Sequence, residues 1–242
     1  MRLSAFAFLL SFLPSAGWPG DHAPEPAAMV VETPDNAALP EAVAEAPVSA
    51  QAVGTSVRPK ARSTFLPRAR WSNAGRGAIW TRSAISALRS HASALPRTVP
   101  RDIDDWCPAY RTAGLREREA FWVGLISALA KHESTYRPRA VGGGGRWHGL
   151  LQILPGTARG YGCRARTGPA LQNAPANLSC ALRIMARTVQ RDGVVSQGMR
   201  GVAADWGPFH SRSKRRDMMA WTRAQTYCKP ISSVRPRARP AG

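Results

Sequence analysis

The stretch REREAFWVGLISALAKH, residues 116–132, is charged over its first four positions and then almost wholly apolar. Phe121, Leu125 and Leu129 recur at i, i+4 and i+8, and Trp122, Ile126 and Ala130 form the adjoining row. This is the period of an α-helix, and so wide an apolar face belongs to a helix buried among others. Glu133 follows directly. A carboxyl at the end of such a helix is partly desolvated, which disfavours its charged form and raises its pKa. A carboxyl that stays protonated near neutral pH suits general acid catalysis. Periodicity alone leaves a plainer role open: a helix-end glutamate in water, or one paired with Lys131 or Arg137.

Helical signals continue on both sides. Residues 77–95 place Ile79, Ile85, Leu88 and Leu95 near helical spacing. Downstream, a Gly-rich loop (Gly142 to Gly145) precedes a short apolar segment, 149–154. Pro155 then opens a further helix. Residues 177–189 read as another, and 201–206 and 215–227 as two more. No strand pair and no internal repeat is evident. The expected fold is mainly α.

The compact part is expected over residues 101–228, with a helical extension at 73–100. Residues 1–17 read as a signal peptide: Arg2, an apolar run from Leu3 to Leu13 too short to span a bilayer comfortably, then small residues. Residues 18–72 form a spacer that is Ala/Pro-rich and then basic. It lacks the apolar surface to offset its ordering entropy and is expected to be disordered. The Pro/Arg-rich tail 229–242 is expected to behave likewise.

The four cysteines, Cys107, Cys163, Cys180 and Cys228, form an even set behind a signal peptide, which suggests two disulfides. Three pairings are possible. We favour Cys163 with Cys180, closing a local loop, and Cys107 with Cys228, tying the domain ends together. No Cys-x-x-Cys or close Cys/His pair points to zinc, and no metal or other cofactor is expected.

The formal charge of +19 is unevenly placed. Asp21, Glu25, Glu32, Asp35, Glu41 and Glu45 stand in a stretch without Lys or Arg, whereas residues 58–101 hold ten basic residues and no acidic one. Secretion argues against nucleic acid as the main partner. Anionic envelope polymers and headgroups fit the basic segments better, and a solubilising surface is the plain alternative.

Two runs carry a resemblance. HESTYRPRA, residues 132–140, resembles the Glu-Ser-x-aromatic-x-Pro-x-Ala signature of bacterial lytic transglycosylases, and GLLQILPGTA, residues 149–158, resembles their Gly-Leu-Met/Leu-Gln-Ile-x-Pro-x-Thr-Ala signature. Order and spacing match. NAPANLSCA, residues 173–181, looks like their Asn-Pro-x-x-Asn turn into a helix. The resemblance covers about half the chain, residues 103–227. It implies a lysozyme-like helical domain with a saccharide groove, acting on peptidoglycan strands in the periplasm or outside the cell, as a monomer. It gives Glu133 the role of acid and then base, cleaving between N-acetylmuramic acid and N-acetylglucosamine while the sugar's own 6-hydroxyl closes a 1,6-anhydro ring. One carboxylate suffices for that, where ordinary glycosidases use two. The resemblance further implies that Ser134 orients the hydroxyl or muramyl substituent, that Gln152 bonds sugar or backbone, and that Gly149 lets backbone approach the saccharide.

The chain also departs from the family. Before Gly149 stands VGGGGRWH, residues 141–148, whose glycines suggest a mobile loop and whose Trp147 could stack on a sugar or pack the loop down. The family's Ala-Tyr-Asn-Ala-Gly element falls on Ala203, Ala204, Asp205, Trp206 and Gly207. Trp206 could fill the missing tyrosine's space. Asp205 brings a second carboxylate, which opens a lysozyme-like hydrolase with Asp205 positioning water. Capping or an arginine partner is the alternative for Asp205. A non-catalytic glycan-binding module and a secreted basic protein acting by charge are the readings from other classes.

Overall fold

The computed structural model describes residues 66–230. Eight α-helices appear there: α1 (Gly77–Leu88), α2 (Ala94–Arg97), α3 (Ile103–Trp106), α4 (Leu115–Glu133), α5 (Pro155–Gly160), α6 (Gly168–Leu171), α7 (Ala174–Asp192) and α8 (Arg212–Arg223). Single 3-10 turns at Gly201–Ala204 and Gly207–Phe209 lead into α8, and another at Thr226–Cys228 follows it. The segment expected to be a signal peptide, nearly all of the expected spacer and nearly all of the tail lie outside the described residues.

α4 is buried without a break from Glu119 to Ala130. Its large apolar side chains are each worth about 1.5–3 kcal/mol in transfer free energy. Glu117 in the first turn and Lys131 in the last oppose the ends of the helix dipole. Trp122 donates through Nε1 to the Tyr110 hydroxyl (2.9 Å), so its one polar atom is satisfied inside the core. α7 begins where Asn173 accepts from the Ala176 N–H (3.1 Å), and it ends at Gly193, whose φ of 67° suits glycine.

Residues 66–100 pack into the same core as residues 101–228. Trp71, Trp80, Ala84, Leu88 and Leu95 are all buried in it, and α1 lies along α7. The boundaries expected after residues 72 and 100 therefore do not mark breaks in packing. Trp71 shows why: its ring meets Trp80 edge to face at 5.8 Å, and its Nε1 donates to Thr81 (2.9 Å). α1 also turns a different face inward from the one its isoleucines suggest. Ile79 is 51% exposed, because the larger Trp80 takes the core position, and Leu95 belongs to α2.

Two further details differ from expectation. Val141–Gly142 and Trp147–His148 pair as a two-stranded antiparallel hairpin, each strand too short to show a period. Where a helix was expected over 201–206, Gly201–Ala204 form a 3-10 turn, held where Gly201 donates to Asp192 (2.7 Å). The disulfides join Cys107 to Cys228 and Cys163 to Cys180, the favoured pairing of the three. The first closes a loop of 121 residues and the second one of 17, each worth about 3–5 kcal/mol through the entropy of the unfolded chain.

Candidate active site

Glu133 is the last residue of α4. Burial of its carboxyl pushes the pKa up to about 7, against a smaller opposing pull from the Lys214 ammonium on α8. No hydrogen bond or ion pair from the described residues reaches this carboxyl. Immediately afterwards the backbone turns through two non-glycine residues of positive φ, Thr135 (51°) and Tyr136 (61°). Such conformations cost on the order of 1–3 kcal/mol each and collect where a chain must be aimed.

The end of α4 is anchored on its outer side by charge. Asp217 of α8 accepts two hydrogen bonds from Arg70 (2.5 and 2.9 Å), which holds its carboxyl well below the usual range, and one from His132 Nε2 (2.7 Å). Lys131 stands 3.6 Å away. Burial lowers the His132 pKa more than Asp217 raises it, so the imidazole is neutral at neutral pH and donates as an N–H. Arg70 also donates its backbone N–H to Ser127 of α4 (2.7 Å). Neither Arg70 nor Asp217 lies in a motif that sequence reasoning singled out. The one signal that could have found them is the scarcity of acidic residues in so basic a chain.

The site residues expected from the sequence separate into groups. Ser134 is buried, and its hydroxyl donates to Ala130 O (3.4 Å), which closes the end of α4. Gln152, at φ 46°, donates to Ala140 O (3.2 Å) and Gly149 O (2.8 Å), so its amide staples the loop that follows Glu133. Gly149 is required by the packing of the protein itself: at φ 82° its missing Cβ would strike Leu171 O and the Asn177 amide. Asn177 is the residue whose importance sequence reasoning understated. It accepts from Leu151 N (2.9 Å) and donates to His148 O (3.0 Å) and Leu171 O (2.9 Å), locking the second motif onto α7.

Trp147 stays 41% exposed on the hairpin, with the Arg146 guanidinium 5.1 Å from its ring and Gly143 beneath it. Trp206 is buried and donates to Leu151 O (3.0 Å), which makes it a core residue and not part of an open groove. Asp205 accepts from the Tyr161 hydroxyl (3.3 Å). Its pKa is raised by burial, and the charges that act on it are Arg191 and Asp192. Glu133 is not among them, nor does Asp205 figure among the influences on Glu133.

The site has one poised acid, an exposed aromatic on a stapled hairpin, and a charged anchor behind the acid. Among the described residues no cluster of three or more His, Cys, Asp or Glu is arranged to hold a metal ion. A cleft of about 750 Å³ opens at the opposite end of α4, between Ile85, Arg82 and Glu119, where the only acid is already paired with Arg89.

Residues 113–201 match the family model for the transglycosylase SLT domain. No curated protein matches the chain. Among solved structures, DslA in its wild-type form superposes with a TM-score of 0.62 at 25% identity, covering 67% of this chain and 98% of that one. A glutamate-to-glutamine mutant of DslA gives 0.61 at 25%, covering 68% and 98%.

Proposed function

Starting from a transglycosylase SLT domain on a lysozyme-like helical fold, we propose that this protein is a peptidoglycan lytic transglycosylase with Glu133 as its single acid/base. The SLT domain implies a peptidoglycan substrate and, with it, an extracytoplasmic place of action; among the described residues no helix is long and apolar enough to cross a membrane. The observation that carries the reading is the placement of Glu133: a half-buried carboxyl that ends α4 within the SLT-matched residues, without a hydrogen-bond partner among the described residues, and with burial pushing its pKa up to about 7.

In the first step the protonated Glu133 gives its proton to the glycosidic oxygen between N-acetylmuramic acid and N-acetylglucosamine, and the bond from that oxygen to the muramyl C1 breaks. In the second step the Glu133 carboxylate takes the proton of the muramyl 6-hydroxyl as that oxygen bonds to C1. The 1,6-anhydro product leaves with Glu133 protonated again, and no water is consumed. Trp147 offers an exposed indole face for a sugar ring on the stapled hairpin. A signal peptide at residues 1–17 would deliver the chain to this substrate.

The hydrolase needs a second carboxylate facing Glu133 across a water molecule. Asp205 is engaged with Tyr161 instead, which favours the one-carboxylate route. A pure binding module has no use for a desolvated, unpaired acid, since such a group costs stability without contributing to a fixed contact.

The experiment is mass spectrometry of muropeptides released from purified murein sacculi by the wild type and by Glu133→Gln. Anhydromuramyl ends that vanish in the variant are the expected result. Reducing ends would turn the reading to the hydrolase, and no release by the wild type would turn it to the binding module.

A further inference from the structure

The glycine run between the two motifs folds into a defined turn, and that turn holds one arginine in place. Gly143, Gly144 and Gly145 all take positive φ (58°, 65° and 92°), which lets the chain reverse between the paired strands. Arg146 closes the reversal. Its backbone N–H donates to Gly142 O (3.0 Å), and its side-chain Nε donates to Gly143 O (3.0 Å). The guanidinium then lies over the Trp147 indole, 5.1 Å from the ring centroid. A Cβ at residue 143 would collide with that indole, so the glycine is what admits the ring. The hairpin is tied in turn to the chain that leaves Glu133: Gly149 donates to Ala140 O (2.9 Å), and the Gln152 amide bonds the carbonyls of both. Arg146 is thus an exposed side chain fixed by three contacts. Nε is taken up by Gly143 O, while Nη1 and Nη2 make no hydrogen bond or ion pair with the described residues. Residues 134–191 contain no Asp or Glu, so this stretch of chain offers them no anion of its own.

We propose that Arg146 is a specificity-determining residue, a guanidinium set to hold a carboxylate of the muramyl substituent while Trp147 meets a sugar ring beside it. This rests on the reading of the substrate as peptidoglycan. A planar guanidinium with both amino groups unbonded matches a carboxylate in two parallel hydrogen bonds. An arginine free in solvent loses rotamer freedom when it makes that contact, whereas Arg146 has already lost most of it to Gly143 O and the indole, so less is lost on binding. The two sugars of the strand differ in the feature that such a site reads. N-acetylglucosamine carries no carboxyl, while N-acetylmuramic acid bears a lactyl ether at C3 and, on it, a stem peptide with free carboxylates. A ring platform and a cation side by side on one hairpin suit the second sugar and not the first.

The test compares purified sacculi with the same sacculi after their carboxyls are converted to amides by a carbodiimide and ammonia. The wild type is expected to process the native polymer with a kcat/KM about five- to tenfold higher than the amidated one. In Arg146→Gln that ratio is expected to fall close to one. Because the ratio is internal to each protein, partial misfolding cannot imitate its loss. Arg139→Gln removes an exposed arginine that makes no hydrogen bond or ion pair with the described residues, and it is expected to keep the wild-type ratio. A wild type that does not distinguish the polymers overturns the proposal, as does an undiminished ratio in Arg146→Gln or an equal fall in Arg139→Gln, which would mark general charge attraction. Strands stripped of their stems by an amidase keep only the lactyl carboxylate. Discrimination that survives stripping assigns the contact to the lactyl group, and discrimination lost with the stems assigns it to the peptide. Cosedimentation of Glu133→Gln and of Glu133→Gln/Arg146→Gln with the native and amidated polymers reads the site without turnover. Binding that depends on Arg146, from a wild type that releases no product, would uphold the carboxylate site and overturn Glu133 as acid and base; product release without discrimination would do the reverse.

Discussion

α4 carries a glutamate near each end, Glu119 buried and Glu133 half-buried, and the two are handled in opposite ways. Glu119, in its second turn, is 5% exposed and meets Arg89, the residue that caps the end of α1, in a fork, with contacts from 2.7 to 3.1 Å. Glu133, in its last turn, is held in a poorly solvated place with no such partner, and its pKa rises to about 7. The same side chain on the same helix is a joint in one place and a reactive group in the other. What differs is the partner. A bidentate guanidinium compensates a buried carboxylate and fixes it as an anion, whereas burial without a partner leaves a proton on it that can be given away. Burial alone does not mark an active site; burial left uncompensated does.

The sharpest way to break this contrast is Glu133→Gln. The amide keeps the shape and cannot exchange a proton, so turnover of sacculi is expected to fall by about 10³-fold or more, as for loss of an essential general acid. Retained turnover would reduce Glu133 to the status of Glu119. The complementary change is Arg89→Ala, which leaves Glu119 buried and unpaired. Chemical denaturation at pH 7 is expected to show a loss of about 1–2 kcal/mol, less than for a fully buried pair because the Arg89 side chain is 56% exposed, with kcat unchanged for the protein that remains folded. A loss of only a few tenths would mean that water reaches Glu119 and that the comparison overstates its isolation.

The uneven legibility of the molecule follows the same line. The central helix was readable because its apolar rows repeat, and Glu133 because a desolvated carboxyl at the end of such a helix has a known consequence. The cysteine pairing was a choice among three, and closing a short loop and the domain ends selected the one observed. What escaped were contacts between distant segments. Nothing in the spacing shows that Arg70 reaches Asp217, 147 residues away, or that Trp71 belongs to the core. Motif residues were easier to find than to interpret. Gly149, Ser134, Gln152 and Trp206 stand where the motifs put them, yet each turns to backbone or packs against protein. Local patterns report which residues matter more readily than what they touch.

A poised acid carries a stability penalty that the joint does not, and this gives a smaller, signed prediction. The folded pKa of Glu133, about 7, lies above the ordinary value of 4.5. The folded state therefore holds its proton more tightly than the unfolded one, and stability is lost as pH rises from about 4.5 through 7. Glu133→Gln removes that loss. The variant is expected to be more stable than the wild type by about 1–3 kcal/mol at pH 8, and the difference is expected to shrink toward nothing at pH 4. Equal stability at both pH values would mean that the carboxyl is better solvated than its position implies.

The anchor behind Glu133 should respond to acid with the opposite sign. Asp217 has a folded pKa held down by Arg70 and His132, so its contribution is complete above the ordinary carboxylate range and is lost as pH falls through it. His132, with a pKa lowered by burial, adds a second loss as pH falls past about 6.5, since the unfolded chain takes up that proton first. Because Asp217 is 37% exposed, water and salt screen the node, and Asp217→Asn is expected to cost only about 1 kcal/mol at pH 7. That cost should fade at pH 3, where the wild-type carboxyl begins to be protonated in the unfolded chain and the neutral amide is no longer at a disadvantage. Rising acidity therefore loosens the grip of α8 on α4 while it favours the protonated form of Glu133. The pH optimum of the enzyme should consequently lie below the Glu133 pKa, with an alkaline side that Asp217→Asn, which does not touch Glu133, should leave unchanged.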